Sequence, residues 1–303
     1  MIVLCGPQHA EPTVPRVLEE LGVRGPVAIV TAGWQEREGE AGVVADVKLP
    51  TIELALHKRA DDVFAKDPEL ATAYKARQTA LKLMQDAYRL RLDHAAEAAR
   101  AINVLSKELA ADENLASSEM IRHIDRDHVQ RCRARHAAFE EAWHPSQRPA
   151  IVRHVAELRG LLADVGALVI AGGHVAVLLN RLRLFDIVAL AGQKPVIAWS
   201  AGAMAMTERI VLFHDDPPHG QGVSEILDAG LGLAPGIVAL PEARLRLHLG
   251  DQQRVSQLAQ RYAPARCITL DHGAQLWLDD GKLVRAREAQ LLEPSGAVVK
   301  EWS

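Results

Sequence analysis

The 303-residue chain is 49% hydrophobic and 24% charged, which provides for a sizeable core and excludes wholesale disorder. Its 35 Lys and Arg against 39 Asp and Glu leave a net charge of −4, which excludes general attraction to nucleic acid or to an anionic membrane. No apolar run reaches the ~18 residues of a membrane span. The stretch MIVLCGPQHAEP lacks the features of a signal peptide. Cys5, Cys132 and Cys267 are far apart and odd in number, so a reduced, cytoplasmic location is expected.

Glycine divides the chain: of 21, none falls between Gly42 and Gly160. On the N-terminal side, apolar runs at residues 1–4 and 27–32 read as buried strands, with a helical pattern over 12–21 between them. The glycine-free middle reads as helix. Asp67-Pro68-Glu69 is a start signal, with Asp as cap, Pro in the first turn and an acid behind it. Tyr74, Leu81, Tyr88, Ala95 and Ile102 recur every seven residues, and Met84, Leu92, Ala99 and Leu105 fill the same stripe. Residues 111–114 predict a turn, and a second amphipathic helix is expected over about 116–143, ending before His144-Pro145. The expected organisation is an α/β domain of residues 1–50 and 145–303, with an all-α hairpin or bundle inserted at 51–144. The charges of that segment read as a solvated face. Its stripe reads as a packing surface, and a homodimer through this region is expected. His123 with His128, and Cys132 with His136, lack the further ligands that would complete a site, so neither metal nor organic cofactor is expected.

Strand–helix alternation then resumes: ALVIAGG at 167–173, a helical pattern over 175–190, PVIAWS at 195–200 and RCITLD at 266–271. This order predicts an α/β fold with a doubly wound, mostly parallel sheet. The chemistry concentrates in VIAWSAG, residues 196–202. A strand ends at Trp199 and Ser200 opens a helix. A serine at such an elbow presents Oγ above the sheet, beside the free N–H groups of the helix start. Ala201, Gly202 and Ala203 are small, as a sharp turn requires, while Ala198 stands where a glycine is usual. The plain alternative for Ser200 is an ordinary helix cap. Gly172-Gly173 ends the preceding strand, and glycines there let backbone N–H groups approach a carbonyl or a phosphate.

The segments ALVIAGGHVAVLLNRLR, KPVIAWSAGAMAM, FHDDP, LGLAPGIVALPEA and ITLDHGAQL, in this order and spacing, resemble the serine peptidase family of dipeptidase E and cyanophycinase. That family lies within the class I glutamine amidotransferase-like superfamily. The resemblance covers the strands to about residue 34 and residues 150–285, and leaves out the helical middle. It implies a class I glutamine amidotransferase-like fold and a Ser-His-Glu triad that cleaves short acidic peptides or β-linked aspartyl chains. By resemblance, Ser200 is the nucleophile and the N–H groups of Gly173 and Ala201 hold the oxyanion. His174 and the segment His214-Asp215-Asp216 fall at positions expected to bind substrate. Two positions depart from the family. Glu242 stands at the histidine position, and His272, after Asp271, stands at the glutamate position. Three readings stay open. Activity is lost; or the two residues are exchanged, with His272 activating Ser200 and Glu242 orienting His272; or another histidine, His174 or His248, is recruited.

Two functions follow. One is a serine peptidase-like hydrolase acting without cofactor on an amide bond of a small peptide. The other is a non-catalytic, amidotransferase-like binding or assembly protein whose helical segment supplies a partner surface. A cysteine-dependent glutaminase ranks third, since Cys5 and Cys267 sit in no equivalent turn.

Overall fold

The computed structural model describes residues 1–40, 47, 49–105, 110–215 and 223–300, with backbone alone at 103–105 and 110–111. Asp216, expected in the substrate segment, lies outside the described residues. In chain order the elements are β1 (Ile2–Cys5), α1 (Val14–Glu20), β2 (Val27–Val30), β3 (Thr51–Glu53), α2 (Leu56–Lys66), α3 (Pro68–Leu105) and α4 (Ala110–Trp143). Then come α5 (Pro149–Ala163), β4 (Ala167–Ile170), α6 (Val175–Leu184), α7 (Ile187–Ala191), β5 (Val196–Trp199), α8 (Ala201–Met206), β6 (Arg209–Leu212) and β7 (Glu225–Ala229). The chain closes with β8 (Ile237–Pro241), α9 (Ala243–Arg246), α10 (Gln252–Tyr262), β9 (Arg266–Leu270), β10 (Gln275–Asp279), β11 (Lys282–Arg287), β12 (Leu291–Leu292) and β13 (Val298–Val299).

The main sheet runs β11-β10-β1-β5-β4-β2-β3. From β1 to β3 all pairings are parallel; β10 and β11 add an antiparallel edge. Strands β2, β4 and β5 are buried along their whole length, as strands covered on both faces must be. Side chains alternate cleanly between the faces. Leu4, Ala28, Val30, Leu168, Ile170 and Ala198 join one core with α2, α5, α6 and α8. Val3, Cys5, Val27, Ile29, Val169, Ile197 and Trp199 join another with α1. A second sheet, β13-β12-β9-β8, pairs β8 and β9 in parallel, Pro241 opposite Leu270. The carboxyl ends of β1, β2, β4 and β5, and those of β8 and β9, carry the loops described below, as ligand sites of open α/β sheets do.

The helical segment starts later than residue 51. Thr51–Glu53 forms the outermost strand, paired with β2, because Ile52 and Leu54 pack against the main core. Helix α2 also belongs to the body. Leu56, Ala60 and Val63 are buried against it, and the Glu38 carboxylate accepts from the N–H groups of His57 (2.8 Å) and Lys58 (3.0 Å) at the helix start. The hairpin proper is α3 and α4. Residues 111–114 are not its turn. Asp112 and Glu113 lie in the first turn of α4, where the helix dipole also favours acids. Part of the apolar stripe is covered within the chain itself. Tyr88, Leu92, Ile124, Val129 and Cys132 pack on β7, β8 and α10 of the same chain.

Side chains fix this docking. Tyr88 stacks on His128 at 4.2 Å. Its hydroxyl donates to Asp125 (2.8 Å) and accepts from the Ile226 N–H (3.0 Å). Arg261 of α10 makes two 2.7 Å bonds to the Asp125 carboxylate, both side chains nearly buried. One turn-set along, His136 Nε2 lies 2.9 Å from Asp228 of β7. Burial pushes the imidazoles of His128 and His136 down from their usual range. Burial works to raise the Asp228 carboxyl, but His136 and Arg183 outweigh it and the net shift is downward. His128 Nε2 also sits 3.7 Å from Cys132 Sγ. Of the residues considered as metal-ligand pairs, His128, Cys132 and His136 thus act in helix docking, while His123 is exposed. No helix among the described residues is long and apolar enough to cross a membrane.

Candidate active site

Ser200 follows β5 directly and has φ 50° and ψ −118°. That conformation costs a non-glycine residue ~1–3 kcal/mol and persists only where the surroundings impose it. The surroundings here are backbone. The Ser200 N–H donates to the Cys5 carbonyl (3.2 Å), and its own carbonyl accepts from Met204 (3.1 Å), opening α8. A Cβ on Gly202 would lie 2.7 Å from the Ile170 carbonyl oxygen, and one on Gly172 would lie 3.1 Å from Ser200 Cβ. Glycine at both positions lets the end of β4 close on the elbow.

The packing extends outward through more glycines. Gly173 has φ 104°, and a Cβ there would fall 2.5 Å from the Gly33 carbonyl. A Cβ on Gly33 would fall 2.4 Å from the Gly172 oxygen. His174 N–H donates to the Gly33 carbonyl at 2.7 Å. On the other side, a Cβ on Gly6 would fall 1.8 Å from the Asp271 carbonyl oxygen, and the Gly6 N–H donates to Ala274. The loops after β1, β2, β4, β5 and β9 therefore touch backbone to backbone around Ser200. Gln35, in the β2 loop, is a second non-glycine residue in the left-handed half of the map, at φ 58° and ψ −120°.

The expected oxyanion donors sit in this assembly. The Ala201 N–H begins α8, 3.6 Å from where a Gly172 Cβ would stand, and Gly173 is the next residue of that facing loop. The acid–base residues are arranged otherwise. Glu242 follows β8 at φ 56°, and its carboxylate accepts from Arg246 at 2.7 Å. Asp271 is buried and accepts from the Arg244 N–H at 2.9 Å. The His272 ring meets His9 edge to face, centroids 4.5 Å apart. Among the described residues no hydrogen bond joins Ser200, His272 and Glu242 in the order of an exchanged triad. For Glu242 the reason is local: α9 begins just after it, and Arg246, four residues on, captures its carboxylate.

Of the expected substrate residues, His174 caps α6, its Nδ1 accepting from Val177. Asp215 bonds the His248 N–H (2.7 Å) and Arg254 (3.1 Å). His214 and Asp215 line a cavity of about 450 Å3 between the hairpin and α10, and none of the loops around Ser200 lines it. His248 lines the same cavity. Burial pushes the thiols of Cys5, Cys132 and Cys267 up to about 12, so all three are protonated at neutral pH and poor nucleophiles.

Sequence reasoning missed Gly6, His9, Gly33 and Gln35. The signal for the glycines was present, since Gly6 and Gly33 close apolar runs just as Gly172 does. Their contacts are across loops, which one strand read at a time does not reveal.

No family model matches the chain, and no curated protein matches it in sequence. Among solved structures it is similar to the crystal structure of a peptidase from an acI-B1 Actinobacterium, with a TM-score of 0.44 and 10% identity over 99% of this chain and 96% of that one.

Proposed function

We propose that the chain is a serine hydrolase of the class I glutamine amidotransferase-like kind, cleaving an amide bond in a small peptide. The observation that carries this is the Ser200 backbone, held left-handed by loops that only glycine allows to close. A plain helix cap has no need of that strain. In this reading Ser200 Oγ attacks the peptide carbonyl while His272 takes its proton. The N–H groups of Gly173 and Ala201 hold the developing oxyanion. The protonated imidazole then passes its proton to the departing amine, and water activated by the same ring releases the acid. Glu242 is left outside the relay, because its carboxylate is bonded to Arg246. His9, against the ring of His272, is the group placed to steady it.

The second reading, a binding protein without turnover, draws on the lack of a hydrogen bond between Ser200 and a histidine among the described residues. A fluorophosphonate probe followed by intact mass separates the two. We expect labelling at Ser200, none in Ser200→Ala, a loss of about 100-fold or more in His272→Ala, and little change in Glu242→Gln. A native chain that resists the probe would establish the binding reading instead.

A further inference from the structure

Where the hairpin leaves the body, α2, the hairpin root and α6 border a second, open pocket of about 460 Å3. Phe64, Tyr74 and Val177 give it apolar walls; Lys75, Arg181 and His174 complete the lining that matters here. His174 directly follows Gly173, so the cavity opens one residue from an expected oxyanion donor.

Its charge is unbalanced. No Asp or Glu lines it among the described residues. Arg148, Arg254 and Arg261 each sit on a carboxylate. Neither Lys75 nor Arg181 forms an ion pair among the described residues. Behind the wall, Arg77 is buried against the rings of Tyr74 and Phe139, and it too has no carboxylate within ion-pairing distance among the described residues. The neutral polar groups are already matched. Gln78 donates to Asn180 at 2.9 Å, Asn180 returns a bond at 3.3 Å, and the Tyr74 hydroxyl donates to the Asn180 carbonyl at 3.1 Å. Arg181 lies 5.7 Å from the Phe64 ring, which holds its charge over an apolar floor. Positive charge beside apolar surface is what remains for an occupant, and a pocket of this size suits a small organic anion.

We infer that this cavity binds an apolar residue carrying a free carboxylate, as at the C-terminal end of a short peptide. Lys75 and Arg181 meet the carboxylate; Phe64, Tyr74 and Val177 surround the side chain. That the bound residue belongs to the peptide being cleaved rests on the proposed function; the binding does not. The helical segment then acts as part of the recognition surface, since α3 contributes Tyr74 and Lys75.

Binding is measured on the full Ser200→Ala chain by calorimetry, using N-acetylphenylalanine and its amide as probes. The acid should bind at least tenfold more tightly than the amide. The double variant Lys75→Gln with Arg181→Gln should bind both alike, and Arg181→Lys should keep part of the preference. Methyl resonances of Val177 should shift on adding the acid to the chain with both cations in place, a readout that does not need the double variant to fold. Equal binding of acid and amide, unchanged acid affinity in a folded double variant, or unmoved Val177 methyls would each overturn the inference. Acid binding in a chain that resists the fluorophosphonate would sink the hydrolase reading alone. Probe labelling at Ser200 without acid binding would sink the cavity alone.

Discussion

The loops around Ser200 and the seat of the helical hairpin solve opposite problems. Around Ser200, backbone meets backbone: Gly6 against Asp271, Gly33 against Gly172, Gly202 against Ile170. Few side chains intervene, and the strained Ser200 is held by its neighbours' main chain. At the hairpin seat, side chains do the joining. Tyr88, Asp125, Arg261, His136 and Asp228 are buried and bonded to one another across elements distant in sequence. The first arrangement fixes the elbow through main chain alone. The second anchors a long hairpin to the body through side chains. Position at the site is therefore set by what is missing, a Cβ, whereas position of the hairpin is set by which polar groups find each other.

Three experiments press on that contrast. The largest effect is expected at the seat. Asp125→Ala leaves Arg261 buried without its partner, and unfolding should become easier by about 3–5 kcal/mol in urea titrations. Molecules that remain folded should react with the fluorophosphonate as before; a selective loss of labelling would mean the two regions are coupled. Next comes Gly173→Ala. Its Cβ meets the Gly33 backbone, and alanine resists φ 104°. The expected loss is about 2–3 kcal/mol, accompanied here by failure of probe labelling. Retained labelling would show that this loop does not shape the site. The smallest effect is on pH dependence. Burial holds the imidazoles of His128 and His136 below their ordinary range in the folded chain, so the unfolded chain takes up these protons first as pH falls. Stability should be constant above the unfolded histidine range and should decline as pH drops through and below it. Asp228, lowered when folded, adds a loss in the same direction at more acid pH. Thermal midpoints between pH 7.5 and 5 should fall by a few degrees in the parent and less in His136→Asn. Equal slopes would remove His136 from the account.

The sequence carried the regular parts plainly. Runs such as ALVI and VIAW are apolar throughout because both faces of their strands are covered. The seven-residue stripe from Tyr74 marked the hairpin because it faces one surface for many turns. The elbow was legible because strand, serine and small residues are contiguous. The turn at 111–114 misled because acids favour helix starts and turns alike. Thr51–Glu53 was missed because three residues carry no period. The partners of Glu242 and His272 were beyond reach for a different reason. Their positions follow from strand ends, but Arg246 and His9 reach them from a helix turn and from the first loop. Neither encounter leaves a trace in local pattern.

Strand β1 is an inner strand of the sheet, between β5 and β10. Ile2 pairs with Val196 on one side and with Leu278 on the other, and Val27 pairs with Ala167 across the whole hairpin. During synthesis the ribosome releases β1 long before either neighbour exists, while α3 and α4, which need mainly each other, can assemble in between. Until β5 and β10 follow, the nascent chain presents open apolar strand edges, the condition under which chaperones are engaged. A chain cut short before residue 266 carries Ser200 but lacks the Asp271 backbone that rests on Gly6, so the packing around the elbow closes only once β9 has followed.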